Sequence, residues 1–365
     1  MTWMTTLWNT IDGFRNRPLR RITLPGTHDA GCYVDHPYGN VLSRTQTQDI
    51  AGQLDGGVRY FDLRPYQGNW VRGRSFWTYH GLFYTGGQLD GAGGILQQTA
   101  DFIDRMGADR RELVILNLSH FWRFSDADHR ALIETVEATL GERLVRRSQS
   151  GHDGLDLFEA PLVDLLTDAN GQVRPRVAIL YDGALDTGVE RYIQDHVDGL
   201  PNGFFVLSPK YTPRRHPIYL FDQYANSRQV PDMQADQLRK LRERQLYPLR
   251  FAPDGRHWPA NAPGGVASTL HLFSWTLTPQ PADPVVAAQT RSNPELLQVF
   301  SAAGGWRGVG RQYDPAHDPQ INILYVDDYA SQPYRNAAGS PYDGFALPVA
   351  IAARLNVGAP WPPTW

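Results

Sequence analysis

Two histidines set in short polar boxes are the residues of this chain best suited to chemistry. His28 stands in Leu24-Pro25-Gly26-Thr27-His28-Asp29-Ala30-Gly31 and His80 in Tyr79-His80-Gly81. Between them, Val58-Arg59-Tyr60-Phe61-Asp62-Leu63-Arg64 supplies a carboxylate and a guanidinium. One imidazole that takes a proton, a second that gives one and an arginine that holds phosphate charge are enough to cleave a phosphodiester without a metal. A single histidine after a strand is usually a hydrogen-bonded structural residue. The functional reading therefore rests on the combination.

These side chains need elements that bring them to one place. Short apolar runs recur at Arg21–Leu24, Val58–Leu63, Phe76–Tyr79, Leu113–Leu118, Val177–Tyr181, Pro217–Phe221, Leu270–Leu277 and Ile321–Val326, as buried parallel strands do. Helix-period segments lie between them. The clearest is Asp126–Leu144, where Ser125 and Asp128 form a capping box and Leu132, Val136, Leu140 and Leu144 share a face. A second spans Met233–Leu246, with Leu238, Leu241 and Leu246 inward. Strand followed by helix, repeated about eight times without a Gly-x-Gly-x-x-Gly after the first strand, predicts an α/β protein of the distorted (β/α)8 TIM-like barrel type. Phe251–Val266 and Ala330–Trp365 show little periodicity and read as long functional or covering loops. With no linker composition and no internal repeat, residues 1–365 are expected to form a single catalytic domain.

Composition supports a globular body. The 365 residues are 41% hydrophobic and 20% charged, and the net charge of -3 comes from 35 basic and 38 acidic residues. Such a balance gives no electrostatic footprint for nucleic acid. The lone Cys32 cannot form an internal disulfide, nor do cysteines suggest a zinc site. No apolar run reaches the ~18 residues a spanning helix needs. Met1–Arg20 lacks the continuous apolar core of a secretory signal, so the chain is expected to start mature or not to be exported by that route, which leaves a cytoplasmic location open. A monomer is the default expectation.

In a parallel barrel the C-terminal strand ends converge on one mouth. The polar residues ending apolar runs are His28 and Asp29, Asp62 and Arg64, His80, Asn117 with Ser119 and His120, Asp182, Asp222 with Tyr224, and Asp327 with Asp328. Together they exceed the polar burial that stability favours, which marks a site.

On these residues the sequence resembles the X-domain of phosphatidylinositol-specific phospholipase C, especially its bacterial, metal-independent branch. Leu24–Gly31 is similar to the family's Leu-Pro-Gly-Thr-His-Asp/Asn-Ser-Gly box, with Ala30 for Ser. The Gly57–Arg64 segment, Tyr79-His80-Gly81, the Asp327 strand and Trp275-Thr276-Leu277-Thr278-Pro279 are also family-like. The resemblance implies a secreted phospholipase C acting on phosphatidylinositol at a membrane interface. In that role His28 would be the general base for the inositol 2-hydroxyl, Asp327 its orienter, His80 the general acid for the diacylglycerol oxygen and Asp29 its support, giving a cyclic inositol phosphate. Arg64 would stand where the calcium-dependent branch has an acidic ligand, so no cofactor or metal is expected. Asp222 and Tyr224 match the family's Asp-x-Tyr head-group segment; Asp62, Ser119 and Asp182 are the further candidate substrate contacts. The family's bacterial members place a Lys at the end of strand four and an Arg at the end of strand five, where this chain shows Leu118-Ser119-His120 and Tyr181-Asp182. That departure keeps open a broader or different phospholipid head group, and a lipid-binding module without turnover is the alternative from another class. A metal-dependent phosphodiesterase would need a carboxylate cluster, which Asp62-Leu63-Arg64 does not offer. Trp70, Phe76, Trp77, Phe83, Tyr84, Trp258, Trp361 and Trp365 are candidate membrane-facing aromatics.

Overall fold

A computed structural model describes residues 2–34, 41–70, 73–81, 86–147, 156–183, 191–192, 195–196, 200–207, 219–242, 269–278, 283–300, 320–335 and 344–357. Its centre is an eight-stranded parallel sheet. The strands are β1 (Leu24–Thr27), β2 (Tyr60–Leu63), β5 (Leu113–Leu118), β6 (Arg176–Asp182), β7 (Phe204–Leu207), β8 (Tyr219–Asp222), β9 (Thr269–Trp275) and β10 (Ile323–Val326). Their spatial order, β7-β6-β5-β2-β1-β10-β9-β8, follows the chain around a circle. This is the nearly closed barrel expected from the strand–helix alternation. The seam lies between β7 and β8, which have no pairing among the described residues.

The expected number of barrel strands holds, although their identities change. Phe76–Tyr79 belongs to an antiparallel hairpin of β3 (Pro65–Trp70) and β4 (Gly73–Thr78) outside the barrel. The strand missing from the sequence reading is β7, whose Phe-Phe-Val-Leu is too short to display a period. Barrel closure at β1 runs Leu24↔Ile323 through Thr27↔Val326, so the strand begins where Arg21–Leu24 was expected to end.

Period-two alternation decides what faces the barrel interior. Gly26 on β1, Tyr60 and Asp62 on β2 and Tyr325 on β10 alternate inward, and His28 and Asp327 follow directly after the ends of β1 and β10. The outward Leu63, Leu116, Leu324 and Val326 pack under helices and are fully buried. Helix α1 is Trp3–Thr10, α2 Ile50–Gly56, α3 Ile95–Met106, α4 Asp126–Leu140, α5 Leu162–Leu166, α6 Val230–Arg242, α7 Pro284–Ala287, α8 Asn293–Phe300 and α9 Leu347–Val357. The Ser125–Asp128 capping box opens α4. At the opposite end Gly141 interrupts the helix, leaving Leu144 beyond it. Helix α9 lies in a stretch read as loop. It is apolar on nearly all sides, with Leu347 through Ala353 buried, so no amphipathic period exists to detect it.

The N-terminal end of the barrel is sealed by a satisfied ion pair. Arg59 Nε donates to Glu112 Oε2 at 2.8 Å, while Glu112 Oε1 accepts from Thr5 N and Oγ1 of α1 at 3.0 and 2.7 Å. A buried pair with every charge answered avoids the penalty of a lone ion.

Among the aromatic candidates, Phe76 is buried and belongs to the core, Trp77 is half-buried and the side chain of Trp70 is not described. Phe83, Tyr84, Trp258, Trp361 and Trp365 lie outside the described residues, as does Phe251–Val266. No helix among the described residues is long and apolar enough to cross a membrane.

Candidate active site

His28 is held on both sides by carboxylates. Its Nδ1 is 2.7 Å from Asp327 Oδ1 and its Nε2 is 3.1 Å from Asp29 Oδ2. Main-chain pairing fixes this placement, because His28 N donates to Val326 O as β1 runs beside β10. Burial alone would lower the imidazole, but the charges of Asp29 and Asp327 overrule it and raise His28 to about 9. Burial pushes Asp327 upward against the opposing pull of His28.

Asp29 occupies a left-handed backbone conformation (φ 40°), uncommon for a residue with a side chain. That turn points its carboxylate inward, fully buried. Oδ2 contacts both histidines, with His80 Nε2 at 3.3 Å, and Oδ1 lies 2.5 Å from Arg64 Nε. Asp29 is therefore the hub of the constellation.

His80 arrives from the β3–β4 hairpin, not from a barrel strand, which corrects the sequence expectation. Tyr79 N donates to Arg64 O across the hairpin's open end. The imidazole Nδ1 faces Ser43 O at 3.1 Å. A carbonyl only accepts, so Nδ1 carries hydrogen and Nε2 is the atom turned to Asp29 and the mouth. The two imidazole centroids are 5.5 Å apart at an interplanar angle of 77°.

Arg64 is gripped by two acids, Asp29 and Asp62. Asp62 Oδ2 accepts from Arg64 Nε and Nη2 at 3.3 and 3.2 Å and from Tyr325 Oη at 2.5 Å, while Oδ1 accepts from Ser119 Oγ at 2.9 Å. Burial would raise the Asp62 carboxyl, yet Arg64, followed by His120 and His28, holds it well below the usual carboxylate range. Arg64 itself rises well above its usual value because Asp29 and Asp62 outweigh its burial. It is a permanent cation with one edge committed to protein.

A cavity of about 310 Å³ opens over these groups. His28, Arg64, His80, Asp222, Tyr224 and Asp327 line it, as do His120, Ser274, Thr276, Thr278 and Tyr325. Asp62 and Ser119 do not line the cavity and hold each other behind Arg64. Asp182 ends β6 but does not line this cavity. Asp222 is half-buried; desolvation and then the charge of Asp62 push it up to about 6. Tyr224 is 59% exposed and forms an outer edge.

Sequence reasoning left Tyr325 and the β9 hydroxyls out. The alternation Ser274, Thr276, Thr278 was the available signal, and Tyr325 sat two residues before Asp327 on the same face. His28, Asp29 and His80 also bring potential ligand atoms within 4.8 Å of one another, a spacing that a divalent cation could bridge. Arg64 Nε on the other oxygen of Asp29 supplies positive charge there and would compete with such an ion.

No family model matches the chain. The sequence is 27% identical over 167 residues to PI-PLC X domain-containing protein 3 of Danio rerio, covering 39% of this chain and 48% of that protein. It is 27% identical over 184 residues to a PI-PLC X-box domain-containing protein of Dictyostelium discoideum, covering 46% of this chain and 23% of that one. The chain thus spans about half the length of the vertebrate relatives it matches. A variant of the phosphatidylinositol-specific phospholipase C of Staphylococcus aureus superposes with a TM-score of 0.53 at 13% identity, over 96% of this chain and 97% of that one. In sequence the chain is similar to PI-PLC X-domain proteins, and its fold is the barrel of the Staphylococcus aureus phosphatidylinositol-specific phospholipase C.

Proposed function

We propose that this protein is a metal-independent phospholipase C that cleaves phosphatidylinositol on the glycerol side of its phosphate at a membrane surface. The observation that carries the reading is the placement of Asp29 Oδ2 within 3.1 and 3.3 Å of the Nε2 atoms of His28 and His80. Two imidazoles thereby address one small volume through chemically equivalent atoms, with a guanidinium beside them.

His28 Nε2 takes the proton of the inositol 2-hydroxyl, whose oxygen forms a new bond to phosphorus. His80 Nε2 gives a proton to the glycerol oxygen as its bond to phosphorus breaks. The products are diacylglycerol and cyclic inositol phosphate, and the two histidines end with exchanged protonation. Asp327 fixes the His28 ring and balances its charge. Arg64 offers N–H groups to the phosphate oxygens as negative charge builds on them. Asp222 and Tyr224 receive the inositol ring. Each proton transfer is worth ~10²- to 10⁴-fold in rate.

Phosphorus NMR of the purified protein with phosphatidylinositol vesicles, and separately with phosphatidylcholine vesicles, tests this with and without excess chelator. A cyclic inositol phosphate resonance that chelator leaves undiminished is the expected result. Loss of turnover in chelator would assign His28, Asp29 and His80 to a metal. Phosphocholine as product would replace the head group and require water as nucleophile.

A further inference from the structure

His120 has no role in the acid–base scheme above, yet the fold goes to some trouble to place it. It follows β5 in the left-handed region (φ 50°), a conformation that is costly for a histidine. Tyr79 Oη donates to its backbone carbonyl at 2.6 Å, tying this turn to the hairpin that carries His80. Ser119, the preceding residue, is anchored by Asp62. With its backbone fixed on both sides, the His120 ring lines the cavity beside Arg64. Among the described residues its ring nitrogens find no hydrogen-bond partner, so their donor and acceptor capacity is turned to whatever occupies the cavity.

We propose that His120 is a substrate-contacting, specificity-determining residue that hydrogen-bonds a hydroxyl of a polyol head group. The inference rests on the phospholipase reading above and extends it to the chemistry of the head group. Burial and then the nearby Arg64 charge lower the His120 imidazole, which keeps it neutral. A neutral imidazole presents one donor and one acceptor. Hydroxyl groups are donor and acceptor at once and match it; a quaternary ammonium gains no hydrogen bond from either nitrogen, and a second phosphate would ask for a cation. The rest of the cavity has the same character. Ser274 on β9 and Thr276 just beyond its end line the cavity with their hydroxyl oxygens 2.9 Å apart, and Thr278 and the Asp222 carboxyl line it as well. Where a polyol is read by buried hydrogen-bonding groups, a head group lacking hydroxyls leaves them unpaired, which discriminates strongly.

The test pairs His120→Gly with His120→Asn. Glycine adopts the left-handed turn without strain and deletes only the ring; asparagine tolerates the turn and restores a donor and an acceptor. His120→Gly is expected to raise KM for phosphatidylinositol by roughly tenfold or more, the scale of one lost hydrogen bond, with kcat changed less. His120→Asn recovers part of that loss. Titrating myo-inositol into the wild-type protein should move the His120 imidazole resonances. If wild type cleaves phosphatidylinositol and KM ignores His120→Gly, the contact is overturned and the catalytic reading survives. If myo-inositol moves the His120 resonances while phosphatidylinositol stays intact, the catalytic reading falls and the contact stands. His120 resonances unmoved at saturating myo-inositol overturn the contact.

Discussion

Asn293 holds Asp327 in place through the backbone. Its Nδ2 donates to the carbonyl oxygens of Asp327 and Asp328 at 2.9 and 3.1 Å, and to Ser331 Oγ at 2.9 Å. The residues just before it, Ala288–Ser292, form a π-helical turn between α7 and α8. Such a turn inserts one residue and re-aims the helix after it, and it recurs at functional sites. Here it delivers a fully buried amide to the segment that carries the His28 partner. The Ser292 carbonyl accepts from Trp275 Nε1 at 2.7 Å, so the turn is also pinned to β9.

Asn293→Ala is expected to lower kcat about tenfold while leaving KM nearly unchanged, because Asp327 loses its fixed direction and the head-group residues do not. Asn293→Asp should melt at a lower temperature than Asn293→Ala, since it turns an oxygen toward two carbonyl oxygens. Steady-state kinetics and thermal melts check both. A kcat indifferent to Asn293→Ala would detach the placement of Asp327 from this amide.

The charge on His28 has a kinetic signature. In the proposed role of general base it would work only after losing its proton, and its two carboxylate neighbours raise it to about 9. Over the range in which the general acid His80 still holds its proton, kcat/KM, which reports protonation in the free enzyme, should therefore climb toward the alkaline side. Asp327→Asn removes one of the groups that raise His28, so the climb moves to lower pH. The plateau falls as well, by roughly 10²-fold or more, because the ring loses its orienter. An ascending limb that stays in place in Asp327→Asn would mean that this carboxylate does not set the charge of His28.

Asp222 predicts a separate, more acidic transition. It lines the cavity and is pushed up to about 6 by burial and then by Asp62. In the proposed head-group role, the carboxylate above that pH would accept hydrogen bonds from hydroxyls with both oxygens; below it one oxygen would become a donor. KM for phosphatidylinositol is expected to rise as pH falls through about 6, and Asp222→Asn should flatten this step while binding more weakly throughout. A step that persists in Asp222→Asn belongs to another group.

Much of this site was legible because barrel geometry makes a one-dimensional rule out of a three-dimensional one: polar residues ending apolar runs meet at the mouth. His28, Asp62, Asp222 and Asp327 follow that rule. His80 does not, since Phe76–Tyr79 has strand composition but pairs in a hairpin, and composition cannot tell one partner from another. Asn293 was invisible because its function depends on a π turn, a backbone irregularity without a residue signature. The seam between β7 and β8 was equally hidden, for closure depends on pairings between segments distant in sequence. Helix α9 went unread for want of a polar face.

Close approach of two backbones makes the last prediction. The loop after β1 must pass near the end of β4 for His28 and His80 to share Asp29, and Gly31 is where they touch. Gly87 N donates to Gly31 O at 2.7 Å, and Thr78 N donates to Gly87 O at 3.0 Å. A Cβ on Gly31 would collide with Thr78 Oγ1 and lie 2.7 Å from Thr78 Cβ and Cγ2. Thr78 is buried and cannot swing away. Gly31→Ala is therefore expected to destabilise the protein by about 1–3 kcal/mol, the usual cost of overpacking. Because the hairpin must give way, His80 should move off Asp29, and kcat should fall further than the loss of stability alone explains. Thr78→Gly added to Gly31→Ala removes all three opposing atoms and should recover part of both losses, as thermal melts and kcat would show. If Gly31→Ala melts like wild type with full kcat, the hairpin is not held by this contact and the position of His80 has another source.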